Sequence, residues 1–253
     1  MKQFPDFLKE FETDLQKYKL EYIEIQATVL KEGEILDLRQ SKFLGKPYLP
    51  VGMDYPKDKS DKPLIMWAQL NFSEIPHLEN YHENGILQFF VSSDNWYDSE
   101  EVKILFHENT NLQPQTDFSF LTEDLYEECP IGREHCLSFE KKEEYGGTED
   151  FRFDYSFNGK DAWDFCETLK KPQKKEFEEL FYHTGHKIGG YSYFTQQDPR
   201  DFGQKNENDI SLLQIDSGDE IMLGDVGVAN FFINKNALKN KDFEKAWFYW
   251  DCC

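Results

Sequence analysis

The chain has 253 residues, 39% hydrophobic and 16% aromatic, with 49 acidic against 28 basic side chains and a formal net charge of −21. That is enough apolar material for one large or two small packed domains, while the charge argues against a nucleic-acid ligand, whose phosphates must be met by Lys and Arg. The N-terminal run "MKQFPDFLKEFETDL" has no apolar signal-peptide core and no segment reaches the roughly 18 apolar residues of a membrane span, so a cytoplasmic protein without a membrane partner is expected.

In chain order, Phe4, Phe7, Leu8, Phe11, Leu15 and Tyr18 recur at helical spacing and predict a helix over about 4–18, with Pro5 tolerated in the first turn. In "LIMWAQLNF", Leu64 to Phe72, one face of a strand is wholly apolar and the other carries Gln69 and Asn71. "GILQFFV" from Gly85 and "VKILFHE" from Val102 predict two further strands. Residues 110–170 are acidic and aromatic and are expected to form a structured insertion, with "LTEDLYEE" helical and "FRFDYSF" an edge strand. Between Asp94 and Asp154 there are 17 acidic and 5 basic residues, so −12 of the −21 lies in that stretch. "PQKKEFEELFYHTG" predicts a second helix over about 172–184.

The phrase "KFLGKPY" from Lys42 then returns as "KIGGYSY" from Lys187, an offset of 145 that also pairs Gln69 with Gln214 and Asn71 with Asp216. An offset of 142 pairs "GILQFFV" with "GVANFFI" from Gly227, including Gln88 with Asn230. This period is too long for a solenoid and predicts two copies of one supersecondary unit, about 41–109 and 186–251, within a single domain over 1–253. The fold expected is α+β: two tandemly repeated, mainly antiparallel β units with pseudo-twofold symmetry, sharing one core and flanked by helices.

Taken in order, "SKFLGKPYLP", "PLIMWAQLNFSEIP", "GILQFFV", "GGYSYFTQQDPR", "LLQIDS", "GDVGVANFFI" and "FYWDCC" resemble the YwqG-like family, a bacterial family of unknown function. The resemblance implies a cytosolic, mainly β protein and admits a toxin-neutralising role; it carries over no catalytic residues. At Leu44 this chain departs from the double glycine seen at Gly189-Gly190.

Five cysteines suggest reduced thiols rather than disulfides, and Cys129, His135 and Cys136 in "CPIGREHC" are too few for a usual zinc site, so neither metal nor cofactor is expected. An enzyme reading starts from Asp198, Arg200, Asp216, Asp225, His183 and His186, but no catalytic motif frames them. A small polar ligand would be lined by Gln69, Asn71, Gln214 and Asp216, flanked by Tyr48, Tyr193 and Trp67, with Asp198 and Arg200 at its rim, unless those two form an internal Asp–Arg pair. The same amides can instead satisfy loop backbone, and Lys42 and Lys187 can be ordinary strand-edge charges. The leading expectation is an acidic module that binds a basic protein partner, of immunity type; the alternative is a small-ligand binder or hydrolase with its site between the repeats.

Overall fold

The computed structural model describes residues 4–97, 101–200, 206 and 208–253. The branched and aromatic runs form ten strands: β1 (Leu20–Val29), β2 (Lys42–Phe43), β3 (Ile65–Asn71), β4 (Ile86–Val91), β5 (Val102–His107), β6 (His135–Glu144), β7 (His186–Gly189), β8 (Asp209–Asp216), β9 (Val228–Asn234) and β10 (Trp247–Asp251). The α-helices are short: α1 (Glu12–Leu15), α2 (Ala162–Glu167), α3 (Lys171–Phe181) and α4 (Lys235–Lys239). The architecture is a β-rich α+β fold.

All ten strands join one sheet in the order β10-β9-β8-β7-β1-β6-β2-β3-β4-β5. Every pairing along it is antiparallel. The order reads outward from a central β1–β6 pair as β7 to β10 on one side and β2 to β5 on the other. β1 pairs with β7 and β6 with β2, so the strand that opens each half of the chain is held by the other half. Register shifts occur between Met66 and Ala68 on β3 and between Ser211 and Leu213 on β8, again 145 residues apart.

The main core draws side chains from both halves, with Phe89 and Phe231 meeting at a ring-centroid distance of 4.7 Å. A second cluster, not expected from the sequence, joins Phe4, Leu8, Phe11 and Leu15 to Phe153, Phe157, Phe177 and Phe181. The expected edge strand at "FRFDYSF" is therefore replaced by irregular chain whose rings interlock, Phe157 on Phe165 at 4.7 Å and Phe153 on Phe181 at 5.4 Å. Segment 4–18 keeps the predicted buried face but breaks into 3₁₀ turns on either side of α1, since Pro5 offers no side-chain cap and packing rather than helix propensity sets its shape. "LTEDLYEE" forms one 3₁₀ turn, Glu123–Tyr126. α3 starts with Pro172 in its first turn, where a missing N–H costs nothing, and Gln173 Oε1 accepts from the Lys170 N–H.

Candidate functional site

Gln69, on the polar face of β3, is fully buried. Its Oε1 accepts from the Tyr48 N–H at 2.8 Å, and its Nε2 donates to the Leu38 and Gln40 carbonyls at 2.7 and 2.8 Å. Gln214 on β8 repeats the arrangement, accepting from the Tyr193 N–H at 2.8 Å and donating to the His183 and Gly185 carbonyls at 2.9 and 2.8 Å. Beside them, Gln88 donates to the Tyr48 carbonyl and Asn230 to the Tyr193 carbonyl. Each amide replaces water for a loop that would otherwise bury bare backbone.

Asn71 donates to the Arg39 carbonyl at 3.1 Å and accepts from Ser73. Asp216 accepts from the Gly185 and Ser217 N–H groups at 2.6 and 2.8 Å, and burial holds its carboxyl above the usual range. The Tyr48 hydroxyl donates to the Leu112 carbonyl at 3.2 Å, while Tyr193 is half-buried. Lys42 is buried with its ammonium on the Asp37 and Lys46 carbonyls, and burial pushes its pKa down to about 8. It is not a strand-edge charge in solvent.

Asp198 and Arg200 stand at no cleft rim; both are buried and form the internal Asp–Arg pair, the other arrangement their spacing offers. Arg200 donates from Nε and Nη2 to Asp198, at 2.9 and 2.6 Å, and from Nη2 to Asp150 at 2.8 Å. Asp150 also holds Arg152 through two bonds of 2.8 and 2.5 Å. Although burial opposes ionisation of Asp150, the two guanidiniums hold its carboxyl well below the usual range. Glu144, Asp150 and Arg152 were not singled out from sequence. A signal existed: Asp-x-Arg occurs at 150–152 and again at 198–200, and the fold joins both into one network.

Near the centre of the sheet, Glu144 and Lys187 are both buried and pair at 2.6 Å. Lys187 also donates to the Tyr191 carbonyl at 2.9 Å and lies 4.2 Å from the centroid of the Tyr22 ring. Burial holds its ammonium below the usual lysine value, against the pull of Glu144. His183 Nδ1 stands 3.2 Å from Glu144, and His186 Nδ1 accepts from the Asp216 N–H at 3.0 Å, with burial lowering the His186 pKa to about 4. A polar cleft of about 470 Å³ opens beside Tyr22, His183 and Lys187.

A larger cleft, about 610 Å³, separates the acidic insertion from the loop before β9. It is built by an antiparallel bridge between Ile131 and Ile221, flanked by bonds from Gly132 N–H to the Glu220 carbonyl at 2.7 Å and from Met222 N–H to the Pro130 carbonyl at 2.8 Å. Glu127, Glu128, Asp219 and Glu220 line it, all exposed, and among the described residues no Lys or Arg does. Met222, 56% exposed, and Trp96, packed on Trp250 at 4.6 Å, supply apolar surface. In this loop Asp219, Glu220 and Val226 have φ of 40°, 66° and 55°. Left-handed backbone is costly for non-glycine residues, most of all for a β-branched one, and persists only where the surroundings hold it. Gln69, Asn71, Gln214 and Asp216 line neither of these clefts.

Residues 41–252, which carry both clefts' loops and all the matched amides, fit the family model of a domain of unknown function, DUF1963. The chain belongs to this family. No curated protein matches it. β1, which joins the halves of the sheet, precedes the stretch that the family model covers. Among the described residues no group of three His, Cys, Asp or Glu is placed to hold a metal, and no helix is long and apolar enough to cross a membrane. Cys129, His135 and Cys136 serve separately: burial pushes the Cys129 thiol up to about 11, His135 Nε2 meets the Asp219 carbonyl at 2.6 Å, and the Gln40 amide reaches Cys136 Sγ at 3.5 Å.

Proposed function

We propose that this family member is a protein-binding module whose acidic cleft receives a basic, partly apolar segment of a partner. The observation that carries this reading is the convergence of Glu127 and Glu128 from the insertion with Asp219, Glu220 and exposed Met222 on a loop held in left-handed backbone, beside half-buried Trp96. Unopposed acids raise the rate of encounter with a cation, and the apolar floor supplies area that charge alone does not. In its most specific form the reading makes the chain a neutralising partner of a basic toxin in the cytosol, the role that the sequence resemblance admits. We hold the tandem duplication as part of the same proposal; the matched bonds of Gln69 and Gln214 and the mirrored strand order support it.

The test is titration of a synthetic peptide of alternating Lys and Leu, followed by tryptophan fluorescence. Binding is expected to weaken as salt rises, and to vanish in the combined variant Glu127→Lys, Glu128→Lys, Asp219→Lys, Glu220→Lys. A control reverses the same amount of charge at the exposed Glu10, Glu32, Glu83 and Glu176. If the control loses binding as fully as the cleft variant, the protein's acidity is a general property and the cleft is not a docking site.

A further inference from the structure

A third cleft, about 330 Å³, gathers basic side chains in a protein dominated by acids. Lys19, Arg152 and Lys235 line it together with Leu78, Ile210 and the Gly189-Gly190 turn, so that both halves and the insertion contribute. Arg152 is fixed from behind. Its Nε and Nη2 grip Asp150, Nη2 also donates to the Gly190 carbonyl at 2.7 Å, and its guanidinium carbon lies 5.1 Å from the centroid of the Tyr191 ring. Asp150 is in turn locked by Arg200 and by the Ser192 N–H at 2.8 Å. Among the described residues Nη1 of Arg152 makes no hydrogen bond, and the side chain remains 23% exposed at the cleft. The acids here are Glu21, paired with Lys141 at 2.8 Å, and Glu79; Lys19 pairs with Glu143 at 2.5 Å, and Lys235 is exposed.

We infer that this cleft binds a small carboxylate with an apolar body. A guanidinium whose other nitrogens are already committed is a preorganised donor, so binding an anion on Nη1 costs little ordering. Lys235 supplies the second cation, and Leu78, Ile210 and the ring of Tyr81 supply an apolar wall, the Tyr81 hydroxyl being engaged by the Ser211 carbonyl. The class follows from this balance: one open guanidinium nitrogen and one ammonium that has no ion-pair partner among the described residues, with Glu21 and Glu79 at the edge, suit a monoanion better than a phosphate dianion. Gly189 is needed for the shape, since φ of 72° favours glycine and an added Cβ would lie 2.7 Å from Leu78.

The experiment uses the whole chain, labelled with ¹⁵N, and follows the Gly189 and Gly190 amide resonances while benzoate is added. Saturable shifts are expected with benzoate and none with benzamide, its neutral isostere. Lys235→Glu, at an exposed position outside the core, is expected to weaken benzoate about fivefold, the scale of one exposed charge contact removed and reversed. Lys175→Glu, on exposed α3 surface, is expected to leave it unchanged. Arg152→Gln would remove one of the two guanidiniums on buried Asp150 and test folding along with binding, so Lys235 decides. Equal shifts with benzamide, no saturation with benzoate, or indifference to Lys235→Glu would each overturn the inference; so would inorganic phosphate saturating the same amides where benzoate does not.

Discussion

Replacing Gln214 by alanine separates a structural amide from a ligand-binding one. The side chain is fully buried and makes three hydrogen bonds to backbone, one accepted from Tyr193 and two donated to His183 and Gly185. Alanine removes all three and leaves one N–H and two carbonyls without a partner. At about 1 kcal/mol net for each bond the loss is about 3 kcal/mol, and more if no water enters to take the amide's place. For a chain of this size that corresponds to a fall in Tm of about 6–12 °C. Thermal unfolding followed by circular dichroism measures it. Gln69→Ala, which removes the matching bonds to Tyr48, Leu38 and Gln40, is expected to lose a similar amount. Gln214→Glu keeps the acceptor but points a carboxylate at two carbonyls, and should be at least as damaging as alanine. An unchanged midpoint in Gln214→Ala, with a fold otherwise intact, would refute the reasoning and return the amide to the role of a cleft-lining donor.

Arg200→Met leaves Asp150 and Asp198 buried around a missing cation, so a loss of about 3–5 kcal/mol is expected in urea titration. Gly190→Ala should be the harshest of the glycine substitutions in the turn, because its Cβ would lie 2.0 Å from Glu144 Oε1 and displace the carboxylate that holds Lys187; a drop in Tm larger than that of Gly185→Ala, where nothing stands within 4 Å, checks it. Burial lowers the His107 pKa to about 4 against about 6.5 in an unfolded chain, so in that window the unfolded state binds the extra proton and stability falls as pH drops. The urea midpoint should therefore decline from about pH 7 to about pH 5, less steeply in His107→Gln, which keeps a partner for Gln88.

Strands β3, β4, β8 and β9 were legible because their apolar runs are bounded by turn residues and recur at fixed offsets. β1 and β6 were not. "LEYIEIQATV" buries only Ile23 and Ile25, and "HCLSFEKKEE" carries five charged residues among ten, because one face of this central pair looks to solvent. A two-residue strand such as β2 has no period to detect. At "FRFDYSF" the opposite error arose: alternation was real, but the rings pack among themselves and no strand pairs with them. The recurrence of Gln69 and Gln214 was visible as well, while their partners, carbonyls of loops about 30 residues upstream in the chain, leave no mark in a linear pattern. An internal pair of Asp198 with Arg200 is legible from their spacing, but the second Asp-x-Arg, brought close only by the fold, is what explains why so much charge sits inside.

The exchange of opening strands across the sheet sets how this chain behaves when cut. Cleaved between His107 and His135, it would yield one piece carrying β1 to β5 and another carrying β6 to β10. In each piece the first strand lacks its partners, since among the described residues β1 pairs with β6 and β7 alone, and β6 with β1 and β2 alone. Neither fragment can complete the sheet alone, and each holds the strand the other lacks. Each fragment keeps a four-stranded ladder of its own, β2 to β5 or β7 to β10, but the ten-stranded sheet is completed only when the two recombine, joined by backbone pairing rather than by a linker.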